Sequence, residues 1–237
     1  MSRAVILLLA LGGCGFRIDS GQAPSDGNAD APRDASGGDA TPDVAIDAAI
    51  DAPIDMAPQP VTNNYPCTAD AGMHDDTPNT NYGSSSSLRL DNGPNLHSAL
   101  FKFNLATIPT TATITSAELH IWTDDKAGDP QPIYEVLQDW SEAQATWNAR
   151  MTGMNWTTAG AEPPSRGTTT LGTLDPQATM TEYTISLPTA LVGKWVATPT
   201  TNFGIILRGT GMSSSTVATR EYSTAANRPF LRITYTP

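Results

Sequence analysis

Apolar and polar positions alternate in short runs along most of residues 61–237. In one such run Phe101 and Phe103 fall on one side of an extended chain, and Lys102 falls on the other. A period of two is typical of a half-buried β-strand. Runs of this kind predict strands at residues 86–90, 99–105, 117–123, 132–140, 182–187, 203–209 and 230–236.

Turn-forming residues separate these predicted strands, at residues 91–95, 126–130 and 162–167, where Gly, Pro, Asn and Asp cluster. Helical turns are predicted only at residues 141–147 and 189–196. Many short strands with one polar face predict an antiparallel β-sandwich. A domain of this length buries enough apolar surface to fold without a metal or a disulfide.

Residues 1–14 have the pattern of a secretory signal, in which Arg3 precedes an apolar run. That run is shorter than the roughly 20 residues of a membrane-spanning helix. Its end, Leu-Gly-Gly-Cys at Cys14, resembles the bacterial lipobox and implies that Cys14 is acylated. Gly15 follows instead of Asp, which fits an outer-membrane lipoprotein facing the cell surface or the periplasm. A cleaved signal without lipid, or a start codon assigned too late, is the alternative.

The segment from residue 15 to residue 60 has nine Asp against two Arg, a net charge of −7. Low hydrophobicity and charge repulsion cannot offset the ordering entropy, so we predict a disordered acidic tether. Asp recurs every four residues from Asp43 to Asp55. The Asp-x-Asp alternation of a calcium loop is absent, so the pattern favours a solvated spacer. A coil of this length spans on the order of 40 Å.

The whole chain carries a net charge of −11, of which −5 falls in residues 61–237. Nucleic-acid binding needs a surplus of Lys and Arg, so we expect no nucleic-acid partner. The chain has only 2 Cys, which excludes a disulfide-dense scaffold and a Cys-rich zinc site. If Cys14 is acylated, Cys67 has no partner and is predicted to be a packed thiol.

The chain has 3 His, widely spaced in sequence, which argues against a His-based metal or catalytic centre. We expect His74, His97 and His120 to face solvent. The sequence also lacks the context of a Ser or Cys nucleophile. We therefore expect a protein that is not an enzyme and requires no cofactor.

Three motifs occur in order along residues 67–237. The first is Asn81-Tyr82-Gly83, followed by a Leu-Arg-Leu strand and a Leu-Phe-Lys-Phe strand. The second is Asp-Trp-Ser-Glu…Thr-Trp-Asn at residues 139–148, and the third is Thr-Arg-Glu followed by Pro-Phe-Leu at residues 219–231. Together they resemble the DNRLRE domains, the group that includes carbohydrate-binding module family 96.

The resemblance implies a jelly-roll β-sandwich of the kind appended to secreted polysaccharide-degrading enzymes. A characterised branch of the group binds acidic polysaccharide such as alginate, and no catalytic role is implied. Signature residues Arg220 and Glu221 are expected to form a structural ion pair. Trp140 and Trp147 are expected to pack at the end of the sandwich rather than to bind sugar.

Strand alternation also suggests candidate ligand-binding residues. Trp122 and His120 fall on the face opposite Leu119 and Ile121, where an aromatic ring could stack on a sugar unless a loop covers it. Basic side chains fall out of phase with the apolar residues of their own strands at Arg89, Lys102, Arg208 and Arg232. They could bind uronate carboxylates, or they could be solvated or paired across strands with Glu118 and Glu182.

Oxygen-bearing side chains cluster after the Cys67 region, at Asp70, Asp75, Asp76, Asn79 and Asn81. Such a loop could hold structural calcium, with Asp70, Asp75, Asp76 and Asn79 as candidate ligands. Asx residues also form turns without any metal.

The sequence therefore predicts an exported, lipid-anchored, monomeric β-sandwich over residues 61–237. Its expected partners are a polysaccharide, anionic by the resemblance, and a membrane through the lipid anchor. The alternative is a structural or adhesive surface protein that contacts matrix or protein partners without glycan specificity.

Overall fold

A computed structural model describes residues 57–237. The predicted signal, the Cys14 lipidation site and nearly all of the predicted tether lie outside the described residues. The described part is built from twelve strands and one α-helix, α1, at Thr189–Ala197. The strands are β1 (Val61–His74), β2 (Ser87–Asn92), β3 (Leu96–Phe103), β4 (Thr113–Thr123), β5 (Gln131–Glu135), β6 (Ala149–Met151), β7 (Met154–Asn155), β8 (Gly172–Leu174), β9 (Thr181–Ser186), β10 (Ile205–Arg208), β11 (Ser215–Ala218) and β12 (Phe230–Thr236).

Apart from the small β6–β7 pair, these strands form two antiparallel sheets that share β1 and β2. Sheet A contains β12, β4, β9 and β11, with the first part of β1 paired to β12 and the first part of β2 paired to β11. Sheet B contains β3, β10, β5 and β8, with the second parts of β1 and β2 paired to β3. The predicted all-β antiparallel sandwich is confirmed.

The main hydrophobic core lies between the two sheets, because alternate residues of each strand point inward. On β4 these are Ala117, Leu119 and Ile121, and on β3 they include Phe101 and Phe103. Helix α1 closes this core with Val192 and the fully buried Trp195. Burying a large apolar side chain contributes roughly 2 kcal/mol, so the core accounts for most of the driving force.

A second hydrophobic cluster lies on the outward side of sheet B, beneath residues 137–167, which we call the cover segment. Trp140 and Trp156 of the cover segment pack against Leu100 and Ile206, which point outward from sheet B. Trp147 packs against the same cluster. Packing of Trp140 and Trp147 is therefore confirmed, but they cover the outward side of sheet B instead of closing one end of the sandwich.

Two elements differ from the predicted pattern. The strand predicted at residues 132–140 ends at Glu135, and the residues after it enter the cover segment. Residues 141–147 form turns instead of helix, whereas the helix predicted at residues 189–196 is present as α1. No helix within residues 57–237 combines the length and the apolar character that a membrane crossing would need.

Candidate functional site

The outward side of sheet A is the sheet surface that the cover segment leaves open. Its central strands alternate strictly, so the residues between the buried ones point away from the core. Cross-strand pairing aligns Phe230 with His120, Arg232 with Glu118, and Trp122 with Glu182. On the other side of β12, Asn64 lies opposite Arg232. We call this surface the open face.

Aromatic rings occupy the middle of the open face. The Phe230 and His120 rings are stacked, with centroids 4.4 Å apart and an interplanar angle of 9°. Trp122 is partly exposed and donates its indole N–H to the Asp124 carboxylate at 3.0 Å. The Tyr222 hydroxyl donates to the same carboxylate oxygen at 2.6 Å, and this hydrogen bond raises the pKa of Tyr222. The side chain of Trp122 is therefore held in one orientation, with its ring edge fixed.

Two guanidinium groups lie beside Phe230 without a carboxylate partner. Six of the ten Lys and Arg side chains in the described residues form ion pairs, and Arg228 and Arg232 do not. Arg232 lies 6.0 Å from the centroid of the Phe230 ring and donates to Asn64 Oδ1 at 3.3 Å. Arg228 donates to the backbone carbonyl of Tyr222 at 2.9 Å. Both keep donors available for an external anion.

A trough follows the β1 edge of the open face. It consists of two adjoining depressions of about 430 and 400 Å³ that share Asn64 and Pro66. Phe230 and Arg228 line the larger depression. Asn63, Asn104 and Thr107 are among the residues that line the other one. An open trough lined by an aromatic ring, amides and a guanidinium group suits an extended polar chain.

The structure divides the predicted ligand-binding residues between the two sheets. His120, Trp122 and Arg232 lie together on the open face. Arg89 lies on β2, at the far side of sheet A opposite Thr216, and pairs with Asp91.

Lys102 and Arg208 point outward from sheet B, toward the cover segment. Lys102 Nζ lies 2.9 Å from Asp139 and 4.9 Å from the centroid of the Trp140 ring. Arg208 Nε lies 2.6 Å from Glu162. Both cations therefore already have anionic partners within the protein, and they do not form one surface with Arg232.

The expectation that the histidines face solvent is wrong for His97 and His120, and His74 is itself partly buried, with its Nε2 shielded from solvent. His97 is 4% exposed and His120 is 6% exposed. His120 does point away from the core, but the Phe230 ring and a 2.9 Å contact from Nδ1 to Glu182 cover it. His97 interacts with the carboxylates of Asp91 and Asp76. Alternation correctly predicts that His120 lies on the outward side of its strand. It does not predict that neighbouring side chains cover the imidazole ring.

The predicted calcium ligands do not lie together either. Asp70 is fully buried on β1 beside Glu142 and Glu221. Asp76 accepts a hydrogen bond from Thr77 and lies 3.3 Å from His97. Asn79 accepts a hydrogen bond from Asn148. Asp75 is partly buried and lies beside Asp76 at the start of the loop.

The signature Arg220 forms the predicted ion pair with Glu221, at 2.9 Å, and a bidentate one with Glu142, at 2.6 and 2.5 Å. The Glu142 hydrogen bonds raise the pKa of Arg220. Burial raises the pKa of Asp70 to about 7, although the backbone N–H of Arg220 donates to it. The positive charge of Arg220 already balances part of this carboxylate cluster, so the cluster has a structural role.

Sequence reasoning missed three residues of the open face. Phe230 has the same strand alternation as Arg232, so that pattern could have located it. Asn64 belongs to a strand that the pattern did not predict. Arg228 lies before β12, directly after a short helical turn at Ala225–Asn227, and its position gives no strand signal.

The described residues thus form an all-β module whose open face combines aromatic, amide and cationic groups. Residues 61–235 match the family model of carbohydrate-binding module family 96. Because the match covers most of the chain, the protein belongs to this family. No curated protein matches the sequence significantly. Family membership identifies the described residues as a carbohydrate-binding module and points to binding rather than catalysis.

Proposed function

We propose that the open face binds an acidic polysaccharide and does not cleave it. The observation that carries this proposal is the pair of guanidinium groups, Arg228 and Arg232, that flank Phe230 without a carboxylate partner. A planar guanidinium group can bind a carboxylate through two parallel hydrogen bonds. Uronate residues supply such carboxylates along a polysaccharide chain.

The remaining groups of the open face suit a sugar ring. The apolar side of a pyranose packs on aromatic rings, and Phe230 and Trp122 are both partly exposed. Amide side chains such as Asn64 can donate to and accept from sugar hydroxyls. A wide trough, in contrast to a deep closed pocket, admits a polymer that continues past both ends.

The sheet B side is a weaker candidate for the same ligand. A depression of about 200 Å³, smaller than either part of the trough, lies there beside Lys102. The ammonium group of Lys102 is already paired with Asp139. A uronate would have to compete with that carboxylate, so binding there would gain less.

Binding measurements with charge variants test the proposal. We expect the full chain to bind a polyuronate such as alginate, and Arg232→Gln to weaken this binding roughly tenfold because a charge-assisted hydrogen bond is lost. Lys126→Gln is the matched control, since Lys126 has no carboxylate partner within the described residues and lies on a different loop. Calorimetric titration at two salt concentrations measures both effects, and binding should weaken at the higher one.

Equal affinity of wild type and Arg232→Gln for the polyuronate would contradict the proposed site. Binding to a neutral polysaccharide alone would contradict the anionic specificity while leaving the carbohydrate-binding role intact. Release of new reducing ends or unsaturated uronates from the bound polymer would contradict the non-catalytic role.

We also propose that Cys14 anchors the protein to the outer membrane through acyl chains. The lipobox resemblance supports this, and several acyl chains on one residue anchor stably. In a bacterium with two membranes we expect the wild-type chain in the membrane fraction and Cys14→Ser in the soluble fraction. Mass spectrometry of the mature N-terminal peptide should show the acyl mass on Cys14. A wild-type chain without that mass would overturn the anchor and leave the glycan proposal unaffected.

A further inference from the structure

Two histidines and one aspartate converge where β1 and β3 meet the following loop. His74, the last residue of β1, lies opposite His97 of β3, with ring centroids 4.3 Å apart and the rings edge to face. Asp76 follows in the loop. One ring nitrogen of each histidine and one Asp76 carboxylate oxygen lie within 4.8 Å of one another. A tetrahedral ion with bonds near 2.1 Å needs ligands roughly 3.4 Å apart, so small side-chain rotations would suffice.

A buried carboxylate fixes the orientation of His97. Asp91 is fully buried, pairs with Arg89, and contacts His97 Nδ1. If Nδ1 donates its hydrogen to Asp91, the lone pair of a neutral His97 is on Nε2. That nitrogen lies 3.3 Å from Asp76 Oδ1. Two lone pairs then face each other, and a metal ion between them would bind both.

His74 supplies a third ligand atom, because one of its ring nitrogens belongs to the same cluster. Its Nε2 is buried and has no hydrogen-bond partner within the described residues. Burial, together with the neighbouring His97, lowers the pKa of His74 to about 4, so the ring is neutral at pH 7. The side chain stacks on Tyr82 at 4.0 Å, which limits its rotation.

We propose that one ring nitrogen of His74, together with His97 Nε2 and the Asp76 carboxylate, binds one divalent transition-metal ion such as Zn²⁺. Two imidazole nitrogens favour such an ion over Ca²⁺ or Mg²⁺, which prefer oxygen ligands. Asp91 holds His97 as outer carboxylates hold the histidines of zinc sites. The Asp76 side chain is 39% exposed, so water can complete the coordination.

This site does not depend on the glycan proposal, because none of its residues belongs to the open face. The ion would join the ends of β1 and β3 to the loop that carries Asn81-Tyr82-Gly83. We therefore expect it to stabilise the fold, since an ion that binds only the folded state raises the free energy of unfolding.

Metal titration of the full chain, prepared without a polyhistidine tag and treated with chelator, tests the site. With ZnCl₂ in a calorimeter we expect one ion per chain and a rise in the thermal midpoint. Co²⁺ in place of Zn²⁺ should give the visible absorption of a site with nitrogen ligands. His74→Phe keeps a ring against Tyr82 and should abolish the binding. Asp76→Asn changes an exposed side chain and should weaken the binding roughly tenfold or more.

His120→Gln is the matched control, since it removes an imidazole from the open face of sheet A and should leave zinc affinity unchanged. No saturable zinc binding by the wild type would overturn the proposal. Wild-type affinity in both His74→Phe and Asp76→Asn would overturn it as well.

Discussion

At the residue scale, Asp70 is a carboxylic acid that the fold removes from water. It is fully buried, and its Oδ2 accepts from the backbone N–H of Arg220 at 2.8 Å. Its Oδ1 has no partner within the described residues. The pKa of Asp70 is raised to about 7, mainly by burial; the carboxylates of Glu221 and Glu142 act in the same direction, and the Arg220 hydrogen bond acts against them. Near neutral pH this acid therefore titrates inside the folded protein.

A raised pKa in the folded state makes stability depend on pH. Between the ordinary pKa of 3.8 and about 7, the folded state binds more protons at Asp70 than the unfolded state does. The stability that protonated Asp70 contributes to the folded state is thus fully present below pH 4 and is lost as the pH rises through 7. We expect Asp70→Asn to remove this loss, which amounts to at most about 4 kcal/mol. Urea unfolding of both proteins at pH 5 and pH 8 measures it.

Asp139→Asn is the control for this experiment. Partial desolvation tends to raise the pKa of Asp139, but the ion pair with Lys102 outweighs this and lowers that pKa below its ordinary value. That side chain is therefore ionised in both states from pH 5 to pH 8, and its removal should leave the pH slope unchanged. An unchanged slope in Asp70→Asn would show that Asp70 is ionised in the fold.

Individual residues also show what alternation can predict. The pattern places Trp122, His120 and Arg232 on the outward side of their strands, and the structure agrees. The same pattern places Lys102 outward, but on the other sheet. A period of two defines the two sides of one strand and carries no information on which sheet the strand joins. The proximity of His74 to His97 likewise depends on strand pairing, which spacing along the sequence does not reveal.

At the element scale, the sequence pattern does not predict β1, although it is the longest strand. The way β1 packs explains why. Tyr65 and Cys67 contribute to the main core, whereas Ala71 and Met73 contribute to the cluster beneath the cover segment. The change occurs at an irregular register between Cys67 and Ala69, where β1 passes from sheet A to sheet B. In the second part of β1 both sides of the strand are covered, and residues 70–73 are all buried, so the sequence there lacks the alternation of a half-buried strand.

The cover segment is the other element that the pattern could not predict. Its residues are mostly turns, and Trp156 is held by an N–H···O hydrogen bond of 2.9 Å to the carbonyl of Thr146. Apolar residues in such a segment follow no period, because each contacts sheet B through a separate turn. The family signature located Trp140 and Trp147, but not the surface on which they pack.

The cover segment should contribute to stability without contributing to the proposed glycan site. We expect Trp156→Ala to lower the free energy of unfolding by about 3–5 kcal/mol, since it empties a buried aromatic site. Urea unfolding at constant pH measures this change. Leu137→Ala, at an exposed position of the same segment, should change it by less than about 0.5 kcal/mol.

Glycan binding by the folded Trp156→Ala protein should equal that of wild type. A loss of binding with retained fold would instead assign the glycan site to the cover segment. The two measurements together separate the structural role of sheet B from the binding role proposed for sheet A.

At the scale of the whole molecule, the net charge of −5 in residues 61–237 does not describe the open face. Ion pairs within the protein engage Lys102, Arg208 and Arg220. The cations left without a carboxylate partner in the described part of the chain include Arg228 and Arg232, which lie together. Total charge therefore argues against nucleic acid but permits an acidic glycan, because local pairing decides which charges a ligand meets.

The most direct test of the account is a map of the surface that a polyuronate protects. Amide chemical shifts or hydrogen exchange of the full chain, recorded with and without alginate oligosaccharides, give this map. We predict changes concentrated on β4, β12 and the first part of β1, around Trp122, Phe230 and Arg232. Changes concentrated in the cover segment or around Lys102, with the open face unaffected, would contradict the proposed binding surface.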